Sequence, residues 1–206
     1  MPKTKVSNTI PGFPTYKVKY KDIFDFKEFY TAMQEWLLEH DWMDTEDKQS
    51  GKDHWETFYG ERLGQDGSKE IWIRWRMLKK APQAAFLTYY LDFDYHCLGL
   101  SGAEVVKEGR KMKVHKGEME LEVRGLIEEV YKKKFEEDRF LNEVKELFAK
   151  RIYRKTIDQR KKEFYQEAYE LQNYMKQWLK LKRYLPYEEV KSFFPSQAWP
   201  SHLKEE

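Results

Sequence analysis

Between Leu87 and Cys97 every second residue is apolar: Leu87, Tyr89, Leu91, Phe93, Tyr95 and Cys97 alternate with Thr88, Tyr90, Asp92, Asp94 and His96. A period of two marks a strand with one buried face. The same period runs through "TYKVKYKDIF", where Tyr16, Val18 and Tyr20 alternate with Lys17, Lys19 and Lys21. "HWETFYGERL" and "KEIWIRWRMLKK" flank the turn signal "GQDG" and predict two more antiparallel strands. "AEVVKEGRKMKV" predicts a short hairpin around Glu108–Gly109. "KMKVHKGEMELEVRG" predicts another, with a two-residue turn at Lys116–Gly117. That turn would set His115 opposite Glu118, Lys113 opposite Glu120 and Lys111 opposite Glu122. Val114 would then face Met119, and Met112 would face Leu121. Opposite-charge pairs across strands contribute roughly 0.2–1 kcal/mol each, so these charges are expected to be neutralised within the chain.

Elsewhere the period is helical. Phe26, Phe29, Tyr30, Met33, Trp36 and Leu37 fall on one helix face, behind Asp25 as N-cap and Glu28 completing a capping box. Residues 136–185 hold no Gly or Pro and read as one long helix. Phe140, Val144, Leu147, Phe148 and Ile152 form one stripe. Ile157, Phe164, Ala168, Leu171, Met175 and Trp178 form a second, and at about 100° per residue the two lie on nearly opposite sides. A break or kink near Tyr153–Ile157, or burial of the two halves against different neighbours, is therefore expected.

These elements predict an α+β fold. An antiparallel meander of about five or six strands carries one early helix and a long, kinked C-terminal helix. The predicted organisation is a flexible N-terminal arm over 1–14, one domain over 15–185, and a Pro-containing tail over 186–206. The tail carries Phe193, Phe194 and Trp199. The order of elements is similar to the helix-grip arrangement of START-like proteins. That resemblance implies an apolar ligand cavity between the sheet and the long helix.

Composition narrows the classes. The 38 Lys and Arg against 36 Asp and Glu leave a net charge of +2, so any contact with nucleic acid must be local. An aromatic content of 17% excludes the disordered class. The single Cys97 excludes an intrachain disulfide and suits a reducing compartment. The N-terminus "MPKTKVSNTIPGFP" has no apolar run of the signal-peptide kind, and no segment approaches the roughly 18 apolar residues of a membrane span. The expectation is a cytoplasmic protein.

Candidate chemistry is sparse. Asp92, Asp94 and His96 share one strand face, as metal ligands can, but Arg74 and Arg76 have the matching parity on a neighbouring strand. A cross-strand charge ladder is expected, and no metal. "GLSGAE" lacks the second glycine of a nucleophile elbow and precedes a strand rather than a helix. Cys97 lies on the core side, where a thiol is inert. No phosphate-binding glycine loop and no zinc-protease motif occurs. Neither an enzyme nor a cofactor is expected.

Three functions remain. The first is a non-catalytic interaction module that meets a protein partner or its own copy through Ile157, Phe164, Leu171, Met175 and Trp178. The second is a carrier of an apolar small molecule. The third is an RNA or DNA binder. Residues 150–162 carry seven Lys or Arg and one Asp. Arg151, Lys155 and Lys162 cluster on one side of that helix, and Trp72, Arg74, Arg76 and Tyr90 share the outer sheet face, where aromatics among arginines can stack bases. The other bases of 150–162 scatter around the helix and acids flank the segment, which favours a solvated surface.

Overall fold

The structure is a computed structural model that describes residues 8–44, 55–107, 110–132 and 153–181. In chain order the elements are β1 (Thr9–Pro11), β2 (Tyr16–Phe24), α1 (Phe26–Glu39), β3 (Met43–Asp44), β4 (Glu56–Leu63), β5 (Lys69–Lys80), β6 (Leu87–Lys107), β7 (Arg110–Glu129) and α2 (Arg154–Trp178). Among the described residues the strands form a seven-stranded sheet in the order β1–β7–β6–β5–β3. β2 shares the β7 edge with β1, and β4 shares the β5 edge with β3. All pairings are antiparallel, and β4 to β7 form the expected meander.

The two predicted hairpins of residues 103–124 are one. β7 runs straight through Lys116–Gly117, and β6 and β7 pair from Leu87↔Glu129 to Lys107↔Arg110. The Lys–Gly pair marks a close approach instead of a turn. β6 carries a bulge between Leu98 and Ser101, with Gly99 at φ +60°. Gly117 lies against this bulge, where a Cβ would stand 3.0 Å from the Leu98 carbonyl oxygen. A bulge needs both the left-handed residue and a partner without a side chain here. Val114 consequently faces Ala103, and Met112 faces Val105. Glu118, Glu120 and Glu122 face Lys21, Lys19 and Lys17 of β2.

The six alternating residues of β6 from Leu87 to Cys97 are all buried, as their period predicts. Both helices cover this face. Asp25 caps α1 by accepting the Glu28 amide at 3.0 Å, and Phe29, Met33, Trp36 and Leu37 are buried beneath it. α2 begins at Arg154 and buries Ile157, Phe164, Ala168, Leu171 and Met175. Trp178 packs edge-on against Phe29 at 5.0 Å. The first stripe, from Phe140 to Ile152, lies outside the described residues, as does the 186–206 tail.

The arm expected to be loose is docked from Asn8 onward. Thr9–Pro11 pairs with Leu126–Glu128, and Phe13 is buried. Two glycines make room for it. A Cβ at Gly125 would overlap the Phe13 ring, and one at Gly12 would overlap the Phe164 ring. Phe164 in turn stacks on Tyr89 at 4.7 Å and contacts Trp42 at 5.7 Å.

Leu91→Ala, at the centre of this core, should cost about 2–5 kcal/mol in a thermal or denaturant melt. Gly117→Ala should cost about 1–3 kcal/mol by crowding the bulge. The exposed glycine Gly102, whose Cβ would meet nothing within 4 Å, should tolerate the same change.

Candidate functional site

The sheet face opposite the helices is a ladder of charge. At its centre Asp92, only 1% exposed, accepts from Arg76 Nε and Nη2 at 2.7 and 2.8 Å and from Arg124 Nη2 at 2.7 Å. Burial pushes the Asp92 carboxyl up, but the hydrogen bonds from Arg76 and then Arg124 outweigh it and hold it below the usual carboxylate range. Arg74 pairs with Asp94. His96 meets Glu70 at 2.9 Å and stacks on Trp72 at 5.4 Å. The Tyr90 hydroxyl donates to Glu128 at 2.9 Å. Toward β2, Lys17 reaches Glu120 at 2.7 Å and Glu122 at 3.4 Å, while Lys19 reaches Glu118 at 2.6 Å. Trp72, Arg74, Arg76 and Tyr90 thus share one face as their parity predicts, and each is engaged within the chain.

The second stripe is also engaged. Ile157, Phe164, Leu171 and Met175 are buried against the sheet and Trp178 is partly buried, so this stripe is taken up within the chain. Cys97 is fully buried, and burial pushes its thiol up to about 12. The Ser101 hydroxyl donates to the Lys116 carbonyl at 3.3 Å across the bulge.

The solvent side of α2 meets the N-terminal segment. The segment 11–16 and α2 enclose a groove in two parts. One, of about 170 Å³, is lined by Phe13, Pro14, Tyr16, Tyr165, Tyr169 and Gln172, among others. The other, of about 680 Å³, adds Pro11, Gly12, Asp158, Lys161, Lys162 and Gln166. Tyr16 anchors the segment by donating to the Ala168 carbonyl at 3.3 Å. Pro11 and Pro14 fix two backbone angles beside it. Tyr165 and Tyr169, one turn apart, are 51% and 54% exposed.

No family model, curated protein or solved structure matches this chain. The site therefore rests on its own chemistry.

The basic run sorts itself by partner. Arg160 is drawn inward to Glu163 and to Gln83. Arg154 lies 4.0 Å from Asp158. Lys155, Lys161 and Lys162 are exposed, and none pairs with an acid among the described residues. Arg151 lies outside the described residues. The sequence reading reached Lys155 and Lys162 but missed Phe13, Pro14, Tyr165 and Tyr169. The available signals were the "PGFP" segment and a tyrosine pair at i, i+4 away from the buried stripe.

Asp92→Asn would leave Arg76 and Arg124 facing a neutral group. It should cost about 3–5 kcal/mol at neutral pH. The lowered pKa means that the carboxylate's contribution is present above the unfolded value of about 3.9 and is lost as pH falls through the folded one. Denaturant melts at neutral and strongly acid pH should show the gap between variant and parent closing on the acid side.

Proposed function

We propose that this protein is a non-catalytic interaction module that holds an extended, acidic segment of a protein partner in the groove between residues 11–16 and α2. The observation that carries this reading is the join of an aromatic and proline floor to Lys161 and Lys162, whose charges no described acid answers. Aromatic-lined grooves bind extended, proline-containing segments well because such segments lose little entropy on docking. The two lysines select for acidic neighbours and speed encounter.

Two other readings fit less well. A strand of nucleic acid needs a continuous basic track with exposed stacking rings. Here Asp158 interrupts the bases, Arg160 turns to Glu163, and only Lys161 and Lys162 among the described bases line the groove. An apolar carrier of the helix-grip kind needs space between sheet and helix. That region is filled by Trp75, Phe93, Tyr95 and Tyr89 from the sheet and by Phe164, Leu171 and Met175 from α2. Self-association through the second stripe would require α2 to leave its own sheet.

Selection from a displayed peptide library should enrich acidic peptides containing Pro or aromatic residues. Tyr165→Ala and Lys162→Glu should each weaken those peptides at least tenfold, about 1.4 kcal/mol, without lowering the melting temperature. Enriched peptides that bind both variants as well as the parent would overturn the groove as the site.

A further inference from the structure

The groove continues along α2 toward the end of that helix. Lys161, Tyr165, Tyr169, Gln172 and Lys176 follow one another at spacings of three or four and so share one helix stripe. Lys176 donates to the Gln172 side chain at 3.1 Å. Neither Lys176 nor Lys180 pairs with an acid among the described residues. α2 then stops sharply. Lys180 is left-handed at φ +52°, its amide donates to the Gln177 carbonyl at 3.0 Å, and the Leu181 amide donates back to the Lys176 carbonyl at 2.8 Å. These two bonds form a Schellman motif, which turns the chain out of the helix axis. Buried Leu179 and partly buried Leu181 pin the turn to the core.

The sequence that follows this turn has the composition the groove selects. Residues 186–206 hold three Pro, four aromatic residues and four Glu against two Lys, so their net charge is opposite to that of the stripe. We infer that Pro186–Phe194 returns along the stripe and covers the smaller part of the groove, beside Tyr169 and Gln172, as a tethered competitor of the partner segment. This rests on the groove being a peptide seat. The reach is sufficient. Tyr169 lies about 18 Å back from Leu181 along the helix, at 1.5 Å per residue. At about 3.3 Å per extended residue, Tyr187 reaches about 20 Å and Phe193 about 40 Å. Glu188 and Glu189 then come level with Tyr165, within side-chain length of Lys161 and Lys162. A tether of a few residues holds the segment at an effective concentration on the order of millimolar. The same segment on a second copy has no such advantage, so the seat is filled within the chain. An acidic partner must displace Glu188 and Glu189 before it meets the lysines.

Fluorescence anisotropy with a labelled synthetic peptide of residues 186–196 tests this on the full chain. The parent should bind the peptide weakly, because its own copy of the segment competes. Replacing Tyr187, Phe193 and Phe194 together by Ser in the full chain should raise the peptide's affinity at least tenfold. Glu188→Lys with Glu189→Lys, which keeps every aromatic, should raise it at least threefold. Adding Tyr169→Ala to either variant should remove the gain. Equal affinity of parent and variants, a gain that Tyr169→Ala leaves in place, no binding by any of the proteins, or a parent dimer that the Ser variant splits into monomers would each overturn the inference. Peptides from the displayed library separate the two readings. If they lose affinity on Tyr165→Ala yet bind the parent and the Ser variant equally, the partner groove stands and the returning segment falls. If they ignore Tyr165→Ala while the 186–196 peptide still needs Tyr169, the returning segment stands and the partner reading falls.

Discussion

The pairing of β6 with β7 is the constraint on which the other features depend. From Leu87↔Glu129 to Leu98↔Glu118 one register holds without interruption. Because side chains alternate, that register assigns every residue of both strands to a face. Leu91, Phe93 and Tyr95 go to the core beside Leu121 and Val123, while Asp92 and Asp94 go to the charged side beside Arg124 and Glu122. The bulge opposite Gly117 then shifts the register by one residue and turns Ala103·Val114 and Val105·Met112 to the charged side. A slip of one residue anywhere along the pair would exchange core for ladder.

The charged face and the groove differ in how their charges are answered. On the sheet, Asp92 is almost fully buried and bound by two guanidinium groups, and Lys17 and Lys19 each reach two carboxylates. An external ligand there would have to break pairs already made in a low-dielectric setting. On α2, Lys161 and Lys162 are exposed beside the exposed Tyr165. This is where a partner can neutralise charge and cover apolar area without first undoing internal contacts.

The groove follows from a packing requirement of the core. Gly125 leaves a gap in the sheet that Phe13 fills, and Gly12 lets the Phe164 ring approach the same segment. Phe164 then links the segment to Tyr89 of the sheet and to Trp42. Once Phe13 is seated, Pro11 and Pro14 stand beside α2 and a cleft remains between them and Tyr165. Rigid aromatic packing below supports a preformed cleft above, which reduces the entropy lost on binding.

The alternation at Leu87–Cys97 and Tyr16–Lys21, the apolar faces of α1 and α2, the Asp25 cap and the ion pairs of Arg74 and Arg76 were all legible in the sequence. They follow from the two periods imposed by backbone geometry and from local capping chemistry, which act within a few residues. The Lys116–Gly117 pair is ambiguous in sequence because glycine serves a tight turn and a close backbone approach equally well. Only the distant residues Leu98 and Gly99 distinguish the two. Nothing near Phe13 in sequence shows that it docks, because its seat, Gly125, lies far along the chain. The partners of Glu118, Glu120 and Glu122 were likewise chosen across the sheet, by β2 instead of by the adjacent lysines. Sequence thus determined which faces are apolar and which are charged, since each residue carries its own period. Tertiary structure decided which charges stay unanswered, because neutralisation depends on a register set between strands many residues apart.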